Sequence, residues 1–464
     1  MFHFCNMVLK VLSLFLLSLV TVANSAGAVN GQVARAVPEW FRTGVTYQIM
    51  PRCMSEAGTL KGAEAHLERL ADLGVNTVYL TPVNVADTDP DPQWWSLRQR
   101  KSGFNDPRNP YRAGDYFHVD PEYGCDADLS DFVSHAHALG IHVLLDMVFY
   151  HCGPSARVLK QHPEYFQHNA DGSVKLGKWH FPIFDYGRKD TRAYIKSVMS
   201  YYVCAYDVDG FRMDVPDNIP LDFWEEARDA MDALRPGIVL AAEGERPENT
   251  LKAFDINYSM PVCRKLRKDL DAFFLDNKPL DASSIRRNHE QWNSVCPAGT
   301  LLWSHTENHD TATDCFFDRH EKRWGNACCS LCMAFVFAID GVPFIFCGEE
   351  ACHDGRVSLF GHEGCWIDWG PALASPAAGR RCDDLRRWVQ MRKRYPSLTH
   401  GATVWLDNDI PSAVCSFIRS DGVSQDVVFV GNFSEKTVKV KLADGSRYVL
   451  EPWGFVFEPK HQSI

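Results

Sequence analysis

The chain reads as an α/β protein: a (β/α)8 TIM barrel of parallel strands ringed by helices, a short segment inserted after strand three, and a C-terminal antiparallel β-sandwich. Three observations carry this reading. From Val45 onward, continuous apolar runs of strand length alternate with helix-patterned stretches, as strands buried on both faces do. About eight such units over roughly 350 residues match an eightfold barrel with an insertion. Beyond Pro396 the helical stretches stop and short alternating runs replace them.

In chain order, Val45–Met50 has a strand pattern, Ala63–Leu73 carries apolar residues at helical spacing, and Asn76–Leu80 is strand-like again. Leu129, Phe132, Val133 and Ala136 mark one helix face, stopped by Gly140. The apolar strand His142–Asp146 follows, then a helix around Tyr194, Ile195, Val198, Met199 and Tyr202, then a strand ending at Asp214. Leu221–Leu234 is helical, Ile238–Ala242 and Leu301–Thr306 are strands, Cys328–Ala338 is a helix and Phe344–Cys347 a strand. Leu385–Tyr395 closes the series as a helix, and Pro396 stops it. The insertion, residues 147–189, is rich in Pro, His, Gly and aromatics and lacks a helical period. Residues 41–396 thus form the barrel with its insertion. Residues 397–464 form the sandwich, from Val404–Leu406, Val414–Arg419, Val427–Val430, Val438–Leu442, Tyr448–Leu450 and Phe455–Phe457.

A net charge of −11 argues against nucleic acid, anionic membranes and polyanionic substrates, and suits a neutral one. Residues 1–25 read as a signal peptide: Lys10, the apolar run Val11–Val22, then the small residues Ala23-Asn24-Ser25. That predicts a secreted or periplasmic protein with no stable membrane span once the segment is removed; a retained anchor is the alternative. Only Cys5 falls in that segment, which leaves fifteen of the 16 cysteines, an odd number. Cys328, Cys329, Cys332 and Cys347 lie in buried-element patterns, so most thiols are expected to act as small core hydrophobes. No second Cys-x-x-Cys or histidine pair stands at zinc spacing.

Polar residues cluster where the predicted strands end, where barrel active sites are built. Strand three ends at Asp146 with His151 just beyond; strand four carries Arg212 and Asp214 on one face. Strand five ends in Ala242-Glu243, and strand seven in Glu307-Asn308-His309-Asp310. Carboxylates converging on one mouth suggest glycoside chemistry, in which a pair about 5 Å apart gives retention through a covalent sugar ester. Asp214, beside a cation that would keep it ionised, fits the nucleophile. Glu243 follows an apolar run, is expected to have no adjacent cation and fits the general acid/base, with Glu245 as runner-up. Asp310 fits a stabiliser of developing positive charge.

Taken together these segments resemble the α-amylase family of glycoside hydrolases from Val45 to the C-terminus. The resemblance rests on Tyr47–Arg52 (Tyr-Gln-Ile-x-Pro-Arg), Leu73–Pro82 (Leu-Gly-Val-x-x-x-x-Leu-Thr-Pro), Tyr111 to Tyr116, and Pro121–Gly124. It continues in Asp146, Val148 and His151, in Gly210–Asp214, in Ile238–Glu243, in Glu307–Asp310 and in Gly341–Phe344. The resemblance implies Asp214 as nucleophile, Glu243 as acid/base and Asp310 as transition-state stabiliser, with Arg212 orienting Asp214. It also implies that His151 and His309 hydrogen-bond the glucose ring before the cleaved bond, that Tyr111 stacks on it, and that Asp146 supports it from below. Trp95, Phe149 and Trp179 are further aromatic candidates, with ordinary packing the preferred account of each.

Two departures stand out. Tyr150 occupies the place of an asparagine that helps hold the family's structural calcium, and Asp217-Asn218 replace a Lys-His pair. The expectation is therefore no cofactor, the usual calcium site lost though calcium elsewhere is not excluded, and a rewritten leaving-group side. The expected activity is endo-hydrolysis of α-1,4 bonds in starch-like glucans or maltooligosaccharides. The alternatives are an exo-α-glucosidase, a transglycosylase on short α-glucosides, or a non-catalytic glycan- or partner-binding member of the fold.

Overall fold

The computed structural model describes Val29, residues 31–312 and residues 318–460; the predicted signal peptide lies outside these residues. Eight parallel strands close a barrel in sequence order: β1 (Thr46–Ile49), β2 (Thr77–Leu80), β3 (His142–Met147), β4 (Gly210–Met213), β5 (Val239–Ala242), β6 (Ile256–Tyr258), β7 (Leu302–Ser304) and β8 (Val342–Phe346), which pairs back with β1. Seven lie where the apolar runs predict. The sixth, Ile-Asn-Tyr, is too short and too polar to form a pattern, and is made by its ladder to β5 and β7.

Side chains alternate between lumen and helices. Tyr79, Leu144, Val239, Ala241, Ile256, Trp303 and Phe344 fill the lumen as one apolar cluster. Above it the lumen turns polar, with Gln48, Asp146 and Arg212 completely or almost completely buried. Gly210 is required here, because a Cβ on it would sit 2.2 Å from the Val239 carbonyl oxygen.

Outer helices follow from their apolar faces and caps. Helix α1 (Leu67–Leu73) buries Leu67, Leu70 and Leu73 and ends at Gly74, whose φ of 87° suits only glycine well. Helix α2 (Asp126–Ala138) is tied at its start by Asp128, which accepts from the Cys125 N–H at 2.8 Å. Helices α3 (Lys189–Tyr206) and α4 (Leu221–Leu234) bury Ile195, Met199 and Tyr202, and Phe223, Ala227 and Met231, at helical spacing. Helix α5 (Lys265–Asp276) follows β6, and α6 (His320–Ala338) follows β7. In α7 (Pro376–Arg394), Ser375 accepts from the Ala378 N–H, Pro376 opens the first turn and Pro396 prevents continuation.

The insertion is irregular, with one short helix (Arg157–Gln161) and isolated bridges such as Phe166 with Phe184. The C-terminal part holds six strands, β9 (Ala402–Trp405), β10 (Val414–Ser420), β11 (Val427–Asn432), β12 (Val438–Lys441), β13 (Arg447–Leu450) and β14 (Phe455–Pro459). Strands β14-β11-β10-β9 form one antiparallel sheet and β12-β13 a second. Val414, Val428 and Val430 face Val440, Leu442 and Leu450 between the two sheets. The opposite face presents Phe417 and Phe429 to Phe335 of α6, and Phe457 of β14 packs near Trp388 of α7. Among the described residues every cysteine is a free thiol and most are buried; the Cys53 and Cys347 sulfurs approach to 3.4 Å.

Candidate active site

Register sets the geometry of the mouth. In the parallel β3–β4 pair Asp146 is the partner of Arg212, and in β4–β5 Met213 is the partner of Ala242. One residue further, Asp214 N–H donates to the Met147 carbonyl at 3.0 Å and Glu243 N–H to the Met213 carbonyl at 3.1 Å. Asp214 and Glu243 therefore continue neighbouring strands side by side, at a spacing of roughly 4.8 Å, and both project over the lumen with Arg212.

Arg212 is the hub. Its Nη1 donates to Asp146 Oδ1 at 2.7 Å and Asp214 Oδ1 at 2.9 Å, and its Nε to the Tyr258 hydroxyl at 3.2 Å. Its Nη2 lies 3.0 Å from Glu243 Oε2, close enough for an ion pair but without hydrogen-bond alignment. The sequence reading of Glu243 as lacking an adjacent cation is thus corrected: the cation arrives from the next strand. The Val215 N–H also donates to Glu243 Oε2 at 3.0 Å, from a left-handed backbone (φ 36°) unusual for a β-branched residue.

One guanidinium shared by three carboxyl groups cannot hold them all ionised. Burial pushes Asp214 up to about 6; Arg212 opposes this, and the charges of Asp146 and Asp310 add to it. Arg212 thus opposes the rise of Asp214, as expected from the sequence, without cancelling it. Burial also holds Glu243 well above the usual carboxylate range, with Arg212 opposing and Asp214 and Asp310 reinforcing. Asp310 goes the other way. Partial loss of solvent in the crowded mouth acts upward on it, but His309, Arg98 and Arg212 outweigh that and hold its carboxyl far below the ordinary range.

Asp146 lies beneath this group, its Oδ2 accepting from the Tyr79 and Tyr111 hydroxyls, each at 2.6 Å. His309 Nδ1 accepts from Gln48 Nε2 at 2.7 Å, which leaves the ring proton on Nε2, 2.7 Å from the Tyr111 hydroxyl. Burial lowers His309 to about 3 and His151 to about 4, so both rings are neutral near pH 7. His151 Nε2 donates to the Tyr111 carbonyl at 2.9 Å, and its buried Nδ1 has no hydrogen-bond partner. An acceptor left open in a cleft suits a sugar hydroxyl. Asn308 Oδ1 accepts from the Asp310 and Thr311 N–H groups and so shapes the turn that presents His309 and Asp310.

All eight residues singled out from sequence, Tyr111, Asp146, His151, Arg212, Asp214, Glu243, His309 and Asp310, converge at the C-terminal mouth of the barrel. A lobe of about 260 Å³ is lined by Tyr111, His151, Trp179, Asp214 and Glu243; one of about 290 Å³, by Ser259, Arg264, Arg267 and His305; both share Arg98, Glu243 and Asp310. Trp179 lines the cleft, whereas Phe149 and Trp95 are buried in packing. Glu245 points outward beside Arg264.

Arg98 and Val215 were not read as site-shaping from sequence, and Asp217 was read only as a departure on the leaving-group side. Asp217 Oδ2 accepts from the N–H groups of Glu245 and Arg246, and Oδ1 accepts from Asn249 at 2.9 Å, clamping the loop directly after Glu243. Its carboxylate is fully engaged. Tyr150 stands edge-on to Trp179. Among the described residues no group of three or more His, Cys, Asp or Glu is arranged to hold a metal ion.

Residues 35–172 and 173–406 match the family described as alpha amylase, catalytic domain. The chain belongs to this family and is an α-amylase-type retaining glycoside hydrolase. It is similar to a cyclomaltodextrinase of Geobacillus thermopakistaniensis, at 24% identity over 90% of this chain and 77% of that protein. It is also similar to an intracellular maltogenic amylase of Bacillus subtilis, at 25% identity over 69% of this chain and 57% of that protein. The fold matches a solved noncanonic maltogenic α-amylase of Thermotoga neapolitana with a TM-score of 0.73 and 24% identity, over 90% of this chain and 97% of that one.

Proposed function

We propose that the protein hydrolyses α-1,4-glucosidic bonds of maltooligosaccharides by double displacement. Glu243 protonates the leaving oxygen while Asp214 attacks the anomeric carbon and forms a glycosyl ester. Water, deprotonated by Glu243, then releases the sugar with its α configuration retained. Asp310 stabilises the positive charge that develops at the anomeric carbon. His151 and His309 bind hydroxyls of the ring before the scissile bond, beside Tyr111 and above Asp146. The observation that carries this reading is the single guanidinium of Arg212, which reaches Asp146, Asp214 and Glu243 together.

Short maltooligosaccharides, rather than polymers, are the preferred substrates. The relatives named for cyclomaltodextrin and maltose products support the same substrate class. An end-directed mode, with transfer to a second sugar in place of water, is the alternative. No calcium is needed at the usual position, and a chelator is expected to leave activity unchanged. Export rests on residues 1–25 alone, and the N-terminus of protein recovered from cell fractions tests it.

The deciding experiment is chromatography of products from maltotriose, maltohexaose, cyclomaltohexaose and amylose, with Asp214→Asn alongside. Short linear maltooligosaccharides from the first three, and a loss of at least about a thousandfold in the variant, are expected. Equal rates for variant and wild type would remove the enzymatic reading.

A further inference from the structure

We infer that Arg98 is a positioning residue for Asp310, and that it gives this carboxylate a counterion of its own in a mouth where Arg212 is already shared. The inference rests on the role proposed for Asp310 above. Arg98 comes from a short helix, Leu97–Lys101, in the long loop after β2, whose first turn is held by Ser96 accepting from the Gln99 N–H at 3.1 Å. From there it crosses the cleft. Its Nη1 lies 2.6 Å from Asp310 Oδ1 and its Nη2 donates to the His309 carbonyl at 3.1 Å. One side chain thus fixes both the carboxylate and the backbone that presents it.

Asp310 needs such a partner more than the other two acids do. Asp214 and Glu243 sit at strand ends, whereas Asp310 lies in a turn beyond β7, and its side chain is 40% exposed against 11% for each of the others. An exposed carboxylate on a turn has many orientations; the bond from Arg98 selects one, and its second bond holds the His309 carbonyl behind it. Charge argues the same way. Asp146, Asp214, Glu243 and Asp310 crowd one mouth, and Arg212 contacts the first three. A stabiliser of positive charge works only as the anion. Together with His309 and Arg212, the Arg98 guanidinium holds Asp310 low while Asp214 and Glu243 rise. Arg98 also lines both lobes of the cleft, so a ring seated against Asp310 meets its guanidinium.

The test uses the full-length protein and a chromogenic maltooligoside whose good leaving group keeps slow variants measurable. The set comprises wild type, Arg98→Gln, Arg98→Lys, Asp310→Asn and the double variants, each with a melting curve. Arg98→Gln should lower kcat about 10- to 100-fold with KM within about threefold, and Arg98→Lys should recover at least a third of that loss on a logarithmic scale. In the Asp310→Asn background, Arg98→Gln should cost less than about twofold, since two residues acting through one carboxylate are not additive. A kcat for Arg98→Gln within threefold of wild type, or losses that multiply in the double variant, overturns the role. If Arg98→Gln does not fold, Arg98→Lys with and without Asp310→Asn decides by the same non-additivity. Asp310→Asn as active as wild type would instead sink the function proposed for the site.

Discussion

Arg212 donates to Asp146 and Asp214 and faces Glu243, and this sharing governs how the mouth responds to pH. Asp214 must lose its proton to attack, and burial beside other acids pushes it up to about 6. The kcat/KM profile should therefore fall about tenfold per unit below pH 6, and fall again at higher pH as Glu243 deprotonates, the two limbs belonging to the coupled pair. A profile flat down to pH 4 contradicts this. The sign for stability is opposite: a raised carboxyl pKa contributes stability below about pH 4 that is lost as pH rises through about 6. Asp214→Asn should accordingly melt higher than wild type at neutral pH. The carboxylates and histidines were legible in the sequence because strand ends bring them in at fixed local spacings. Arg98 and the contacts of Asp217 were not. Arg98 meets a partner 212 residues away and Asp217 one 28 residues away, and no local pattern marks either contact.

At the scale of elements, the β4–β5 register does the positioning. Gly210 lets β4 approach β5 closely, and a methyl group there would meet the Val239 carbonyl at 2.2 Å. Gly210→Ala should push the two strands apart, destabilise the protein by about 1–3 kcal/mol and lower kcat, since the same strands end in Asp214 and Glu243. Thermal melts and kinetics on one preparation check both effects, and a variant with unchanged melting and rate contradicts the close approach. Seven barrel strands were readable because each is a nearly continuous apolar run. Strand β6 was not, because Asn257 interrupts three residues whose conformation is set by β5 and β7. Helix α5 between β6 and β7 escaped for a related reason. In α5 only Leu266 and Leu270 are buried, too narrow a stripe to stand out from the polar residues around it.

For the whole molecule, the C-terminal sheet is part of the barrel's support. Short β-type runs separated by Gly, Asn, Asp and Ser made the strands legible, and Phe417 and Phe429 lie on one face with Val428 and Val430 on the other. Which face meets the barrel could not be read, because that depends on Phe335, brought up by α6. Phe429→Ala should cost about 3–5 kcal/mol and lower the melting temperature of the entire protein in one transition. Two separate transitions, with the barrel melting as before, would show the sheet to be an independent unit.

The convergence of Asp214, Glu243 and Asp310 on one anomeric carbon is tested most directly by trapping the ester. A fluorinated α-glucosyl fluoride that forms the intermediate quickly and hydrolyses it slowly should add one glycosyl mass per chain, and peptide mapping should place it on Asp214. A label on any other residue, or turnover of the reagent with no label at all, would contradict the assignment.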